Sequence, residues 1–303
     1  MPNWNEVLEE IENSKRVDRF DYIRRKYLKA LFDITGRNVI AYYSGWLQKP
    51  GLNQTSIDDD DKNGFMAVVH KLDRTKGLDL ILHTPGGDLA ATESLVDYLK
   101  RMFGNNIRAI VPQIAMSAGT MIACSCREII MGKQSNLGPI DPQLGGIPAL
   151  GVIEEFNRAI REVEEFPERI PIWQVIISRY HPTFVGECEN AIAWSREIAL
   201  KWLQENMLKK CPYKAEKVIE RLADYQATKS HARHINIDEC IDSGLEIIKL
   251  EEYLGDRNLQ DIVLTVHHAY MLTLSQTPAA KIIENHNGVA MVRLISQMSD
   301  VPQ

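Results

Sequence analysis

The sequence predicts an α/β fold built around a parallel sheet. Short solid runs of apolar and β-branched residues recur along the chain, and amphipathic helical stripes lie between them. The runs lack polar alternation, which is how strands covered on both faces read.

Residues 5–33 read as helices, because Val7, Leu8 and Ile11, then Tyr22, Ile23, Tyr27, Leu28, Leu31 and Phe32, return near helical spacing. The pattern changes at Asn38–Trp46, where VIAYYSGW is β-branched and aromatic with glycine and proline nearby, as suits a strand. Further strand-like runs fall at Leu78–Leu82, Ile107–Val111 and Glu128–Met131. Between the second and third, Leu89, Thr92, Leu95, Val96, Leu99, Met102 and Phe103 form one stripe behind an Asp88 N-cap, so a helix is expected over 88–103. Beyond about residue 150 the pattern is helical except at Leu245–Leu250, and no Pro/Gly/Ser-rich linker intervenes. The expected organisation is one domain over 37–250, with a helical N-terminal extension over 1–36 and a helical C-terminal tail over 251–303.

Composition narrows the function classes. With 35 Lys+Arg against 41 Asp+Glu the net charge is −6, and no basic groove is patterned, so nucleic acid is not expected as the main partner. No stretch approaches the roughly 18 apolar residues of a membrane span, and Met1-Pro2-Asn3-Trp4-Asn5-Glu6 lacks the pattern of a signal peptide. A cytoplasmic protein without a transmembrane segment is expected. The five cysteines (Cys124, Cys126, Cys188, Cys211, Cys240) contain no CxxC pair, which argues against a disulfide framework and a four-thiolate zinc site. No GxGxxG follows a strand run, so a nicotinamide site is not expected either.

In an open parallel sheet, ligands bind at the carboxyl ends of the strands. Two such ends carry unusual residues. After the run 78–82 comes His83-Thr84-Pro85-Gly86-Gly87-Asp88, whose paired glycines leave backbone N–H groups bare at a helix start; a tight turn needing positive φ explains them equally. After the run 107–111 comes Pro112-Gln113-Ile114-Ala115-Met116-Ser117-Ala118-Gly119-Thr120, which puts Ser117 at a strand–turn–helix junction among small residues. That junction holds a hydroxyl rigidly beside an open amide, the task of a nucleophile elbow, although GxSxG is absent; an N-capping serine is the alternative. Gly87 and Ser117 are thirty residues apart with one helix and one strand between, so a right-handed crossover brings both turns to one sheet edge.

These segments, His83-Thr-Pro-Gly-Gly-Asp88 and Ala115-Met-Ser-Ala-Gly-Thr120, together with Leu137-Gly-Pro-Ile-Asp-Pro-Gln143, resemble the serine dehydrogenase proteinase family. That family is a branch of the fold shared by the Clp protease proteolytic subunit, signal peptide peptidase A and the crotonases. The resemblance runs from about residue 37 to 250. It implies a ClpP/crotonase-like superfold of repeated ββα units and a serine peptidase with Ser117 as nucleophile. It further implies an oxyanion hole from N–H groups of the Gly86-Gly87 turn and Ala118, and a homo-oligomer acting on peptides or unfolded proteins.

A serine hydroxyl needs a base. In the signal peptide peptidase class a lysine later in the chain serves, yet no lysine lies between Lys133 and Lys201. Where the Clp subunit has its histidine, this chain reads Ile140-Asp141-Pro142, and the stretch corresponding to the Clp aspartate contains His231 and His234. An exchanged triad is therefore expected, with His231 as base and Asp141 fixing its tautomer, since triads are defined by geometry and role. Asp141 as a turn aspartate, His231 and His234 as surface residues ahead of a helix capped by Asn236, and His83, His181 or Lys133 as the base stay open as alternatives. A metal on His231, His234 and Asp238 lacks a fourth ligand at recognisable spacing, and no metal or cofactor is expected. Two other functions use the same fold: a crotonase-like binder of acyl thioesters, which needs no Ser117, and a silent scaffold.

The run Asp58-Asp-Asp-Asp-Lys62 precedes another helical pattern, whose N-terminus its carboxylates suit. The segment beginning His267-His268 reads as a partner helix or subunit contact.

Overall fold

A computed structural model describes residues 4–223, 230–253 and 257–295 of the chain. Helices α1 (Trp4–Asn13) and α2 (Arg19–Thr35) lead into β1 (Asn38–Ser44), followed by α3 (Asp61–Val69), β2 (Leu78–His83), α4 (Leu89–Phe103) and β3 (Ile107–Val111). A short β4 (Ile114–Ala115) precedes α5 (Ala118–Ser125), β5 (Glu128–Met131) and β6 (Asn136–Leu137). A small hairpin, β7 (Gln143–Leu144) and β8 (Ile147–Pro148), opens the helical part: α6 (Ala149–Glu165), α7 (Ile170–Ile177), α8 (Phe184–Glu205) and α9 (Lys214–Ala223). Then come β9 (Ile235–Asn236), α10 (Ile237–Ser243), β10 (Ile247–Lys249), α11 (Arg257–Gln276), β11 (Ala279–Asn285) and β12 (Ala290–Leu294).

The main sheet has the order β10-β5-β3-β2-β1-β11-β12. Its first five strands are parallel, and β11 and β12 add antiparallel. Both faces are covered, which is why the strand runs are continuously apolar. Ile40, Tyr42, Leu80, Leu82, Ala109 and Val111 pack on one face with α3, α4, α5, α8 and α9. Their alternating neighbours Val39, Ala41, Tyr43, Ile81, Ile110 and Ile130 pack on the other with α2 and α11. The α4 helix begins as its sequence predicts, with the Asp88 side chain accepting from Ala91 N–H at 2.7 Å.

One expectation is not confirmed and one is corrected. The repeated ββα unit is not confirmed among the described residues: α3 and α4 each follow a single named strand, whereas β3–β4 precede α5 and the β7–β8 hairpin precedes α6. The fold is a mixed α/β one with a central, mostly parallel sheet, consistent with a ClpP-like arrangement. The tail is helical only to Gln276; its next two segments are strands that complete the sheet, with Tyr42 opposite Ile283. Its Lys281 and Glu284 hide this strand from the sequence, because both are fully buried and satisfied by charges far away in the chain. Among the described residues no helix is long and apolar enough to cross a membrane.

Candidate active site

Past the ends of β2 and β3 the chain pairs once more, Thr84 with Ala115, through Thr84 N–H to Ile114 O and Met116 N–H to Thr84 O at 3.0 Å. Two residues further along each segment stand Gly86 and Ser117, so the parallel register itself sets the two turns against each other. The fit leaves no room for a side chain: a Cβ on Gly86, whose φ is +93°, would lie 2.7 Å from Ser117 Cβ and 2.9 Å from Ala118 N. Gly87 is pressed against the loop before α3, where its Cβ would fall 2.3 Å from Ile57 N.

Ser117 opens α5 with φ 51° and ψ −118°, a conformation that costs a non-glycine residue about 1–3 kcal/mol and persists only where its surroundings impose it. Its hydroxyl makes no cap hydrogen bond, so the N-cap alternative is not what the residue does. The small residues expected around it are used for close packing: a Cβ on Gly119 would strike Thr84 Cγ2 at 2.5 Å. The glycine turn differs in one respect from the expected oxyanion hole. Gly86 N–H points back to Thr84 Oγ1 at 3.2 Å, whereas Gly87 and Ala118 N–H find no acceptor among the described residues and border the same cleft as Ser117.

Asp141 reaches this region on a segment pinned to the serine helix. Thr120 Oγ1, on the buried side of α5, donates to either Ala115 O or Gly138 O, each at 2.9 Å, and accepts from Gly138 N–H at 2.9 Å. Thr120 was not singled out by its sequence; a Ser-x-x-Thr spacing at a helix start is the signal that points to it. Asp141 is 1% exposed and its Oδ1 lies 2.9 Å from His231 Nδ1, while Oδ2 is buried without a partner. It is thus not a self-bonded turn aspartate. His231, 22% exposed, stands ahead of α10, whose Asn236 forms the expected cap with Glu239.

Ser117, Gly87 and Ala118 line a cleft of about 220 Å³ with Met121, Ile140 and Trp194. His231 and His234 line a neighbouring cavity of about 550 Å³ with Trp46, Pro85 and Met116, and Gln143 borders both. The structure therefore assembles two halves, Ser117 with its amides and His231 with Asp141. Among the described residues no hydrogen bond joins Ser117 Oγ to His231. The other candidate bases lie elsewhere. His83 is fully buried among Tyr43, Trp46 and His267, with neither ring nitrogen partnered. Burial, then the neighbouring His267, holds its pKa well below the usual imidazole value. His181 is exposed beside Thr183 and Glu187, and Lys133 is exposed beside Glu251.

A mostly parallel sheet that delivers a strained serine to the mouth of a cleft places the chain in the ClpP-like class of α/β proteins. Within that class, residues 43–252, more than half of the 303, match the ClpP-like SDH-type serine proteinase family, and the chain belongs to it. It is also similar to two proteins of Methanocaldococcus jannaschii. The uncharacterised protein MJ1495 is 35% identical over 109 residues, 36% of this chain and 37% of that one. The uncharacterised protein MJ0137 is 39% identical over 98 residues, 32% of this chain and 34% of that one. Each match spans little more than a third of the relative's own length.

Proposed function

We propose that the chain is a serine peptidase that hydrolyses peptide bonds through an acyl-enzyme on Ser117. The observation that carries this reading is Ser117 itself, held at positive φ with its hydroxyl uncommitted, against Gly86 and beside the open Gly87 and Ala118 amides. Strain of this kind clusters where a reactive group must be presented.

In this reading Asp141 accepts Nδ1–H of His231, which leaves Nε2 as the basic nitrogen. As Ser117 Oγ bonds to the carbonyl carbon, its proton passes to His231 Nε2, and the carbonyl oxygen becomes an oxyanion facing Gly87 and Ala118 N–H. The C–N bond then breaks as His231 returns the proton to the leaving amine. Water, deprotonated by the same nitrogen, releases the acid and restores Ser117. Removal of one oxyanion donor typically slows such reactions about 10²- to 10³-fold. The step requires His231 to close on Ser117, and catalytic hydrogen bonds commonly tighten only once substrate is bound.

The mixed lining of the cleft, with Met121, Ile140, Leu144 and Trp194 beside Asp88 and Gln143, supports a peptide or unfolded-protein substrate, which offers both apolar side chains and backbone polar groups. Ile170, Ile172, Val175 and Ile176 are at least partly exposed on α7, which supports assembly into a homo-oligomer. An acyl-thioester binder would use the glycine turn but has no need of a strained serine or a His231–Asp141 pair. The test is reaction with a fluorophosphonate probe: the wild type should label, and Ser117→Ala should not, while melting at the same temperature. Equal labelling of both proteins refutes the assignment.

A further inference from the structure

The acidic run ahead of α3 is a built anchor. Asp61 is fully buried, its Oδ1 2.7 Å from Lys281 Nζ and its Oδ2 2.8 Å from Tyr42 Oη. Lys281, also without exposure, extends from β11 and donates in addition to Ser56 O at 2.6 Å. Burial lowers the Lys281 pKa and raises that of Asp61, so each charge is tolerated only because the other neutralises it. On the outer side Arg293 of β12 binds Asp58 and Asp60.

What the anchor holds is one residue from the glycine turn. Ile57, next to Ser56, donates its N–H to Gly86 O at 2.8 Å and accepts from Asp88 N–H at 2.9 Å, spanning Gly87 on both sides. Gly87 cannot retreat, because its Cα faces the Ile57 peptide with no space for a methyl group. The path from Lys281 to the Gly87 amide thus runs through one side-chain bond, one peptide and two backbone bonds. The C-terminal hairpin that supplies Lys281 and Arg293 lies outside residues 43–252, the part of the chain that matches the proteinase family.

We propose that Lys281, clamped by Asp61, is a positioning residue for the oxyanion hole: it fixes the Ser56–Ile57 peptide, and through it the direction of the Gly87 N–H. This rests on the peptidase reading of Ser117. A stabilising contact alone would affect only the folded fraction; a positioning contact sets how fast each folded molecule reacts.

The experiment compares the wild-type chain, Lys281→Met, the double variant Lys281→Met/Asp61→Asn, and Arg24→Met. Arg24 pairs with Glu284 on the same strand β11 but ties it to α2, away from the glycine turn. Neutralising both partners spares the double variant an unpaired buried charge, so it should fold even if Lys281→Met does not. The readouts are the melting temperature, the rate of Ser117 labelling by a fluorophosphonate per folded molecule, and amide exchange over residues 53–58 and 84–91. The double variant is expected to melt near the wild type, label about 10- to 100-fold more slowly, and exchange the Ile57 and Asp88 amides faster. Arg24→Met should lose melting temperature but label at the wild-type rate. Wild-type labelling and exchange in the double variant, or equal slowing by Arg24→Met, overturns the positioning role. A wild type that does not label overturns the peptidase reading instead, and the exchange data still report whether Lys281 orders the turn.

Discussion

Gly86 and Ser117 stand at the same level of two paired segments, each two residues past the Thr84–Ala115 bridge, with Gly86 so close that a methyl group on it would lie 2.7 Å from Ser117 Cβ. Gly86→Ala therefore meets three obstacles at once: a positive φ, the serine side chain, and Met116 O at 2.8 Å. A loss of about 2 kcal/mol or more in unfolding free energy is expected, together with slower probe labelling of the protein that remains folded. Chemical denaturation and labelling under native conditions measure the two effects separately.

Ser117 itself should show a trade between stability and reactivity. Glycine adopts φ 51° without the penalty a serine bears. Ser117→Gly is expected to gain about 1 kcal/mol in stability while losing all labelling, whereas a capping serine would lose stability on the same change. The denaturation midpoint decides between them.

The Asp141–His231 contact makes a prediction about turnover. Asp141→Asn preserves shape but no longer favours the tautomer with Nδ1–H, so kcat should fall roughly 10³- to 10⁴-fold with KM little changed. Steady-state kinetics on an unfolded-protein substrate test this; an unchanged kcat removes Asp141 from the mechanism.

A separate expectation concerns acid stability. Burial, and after it the neighbouring His268, pushes the His267 pKa down to about 3, and His83 is likewise held well below its usual value by burial. Both rings stay neutral in the fold, while in the unfolded chain they protonate near pH 6.5. Their contribution is thus whole above about pH 6.5 and is lost as the pH falls, by about 1.4 kcal/mol per pH unit for each ring, until His267 protonates in the fold near pH 3. His83 has no hydrogen bond to lose, so His83→Leu should flatten the profile between pH 6.5 and pH 5 by about that slope. Denaturation midpoints at several pH values give the comparison.

Much of this architecture was legible in the residues. The runs Ile107–Val111 and Glu128–Met131 are strands with those limits, because parallel strands covered on both faces leave a solid apolar signature. The α4 stripe behind Asp88 and the Asn236 cap were equally plain, since both are local devices. What stayed hidden depends on partners remote in sequence. β11 reads as AAKIIEN, and partners more than 200 residues away, Asp61 for Lys281 and Arg24 with Arg25 for Glu284, make these two charges acceptable in a core. The acidic run looked like helix-terminal charge, although Asp61 is buried against Lys281. At the site, the residue types marked Ser117 and the glycine pair, but the orientation of a backbone amide leaves no trace in the sequence. Gly86 N–H is taken up by Thr84 Oγ1 at 3.2 Å, a hydrogen bond set by the folded turn.

The central claim is that Ser117 is the nucleophile served by Gly87, Ala118 and His231. A crystal structure of the fluorophosphonate adduct tests it most directly. The expected result is a phosphorus–Oγ bond on Ser117, the phosphonyl oxygen at about 2.7–3.1 Å from the Gly87 and Ala118 nitrogens, and His231 Nε2 within hydrogen-bond reach of the serine oxygen. A probe bonded to another residue, or a phosphonyl oxygen turned away from both amides, contradicts the account.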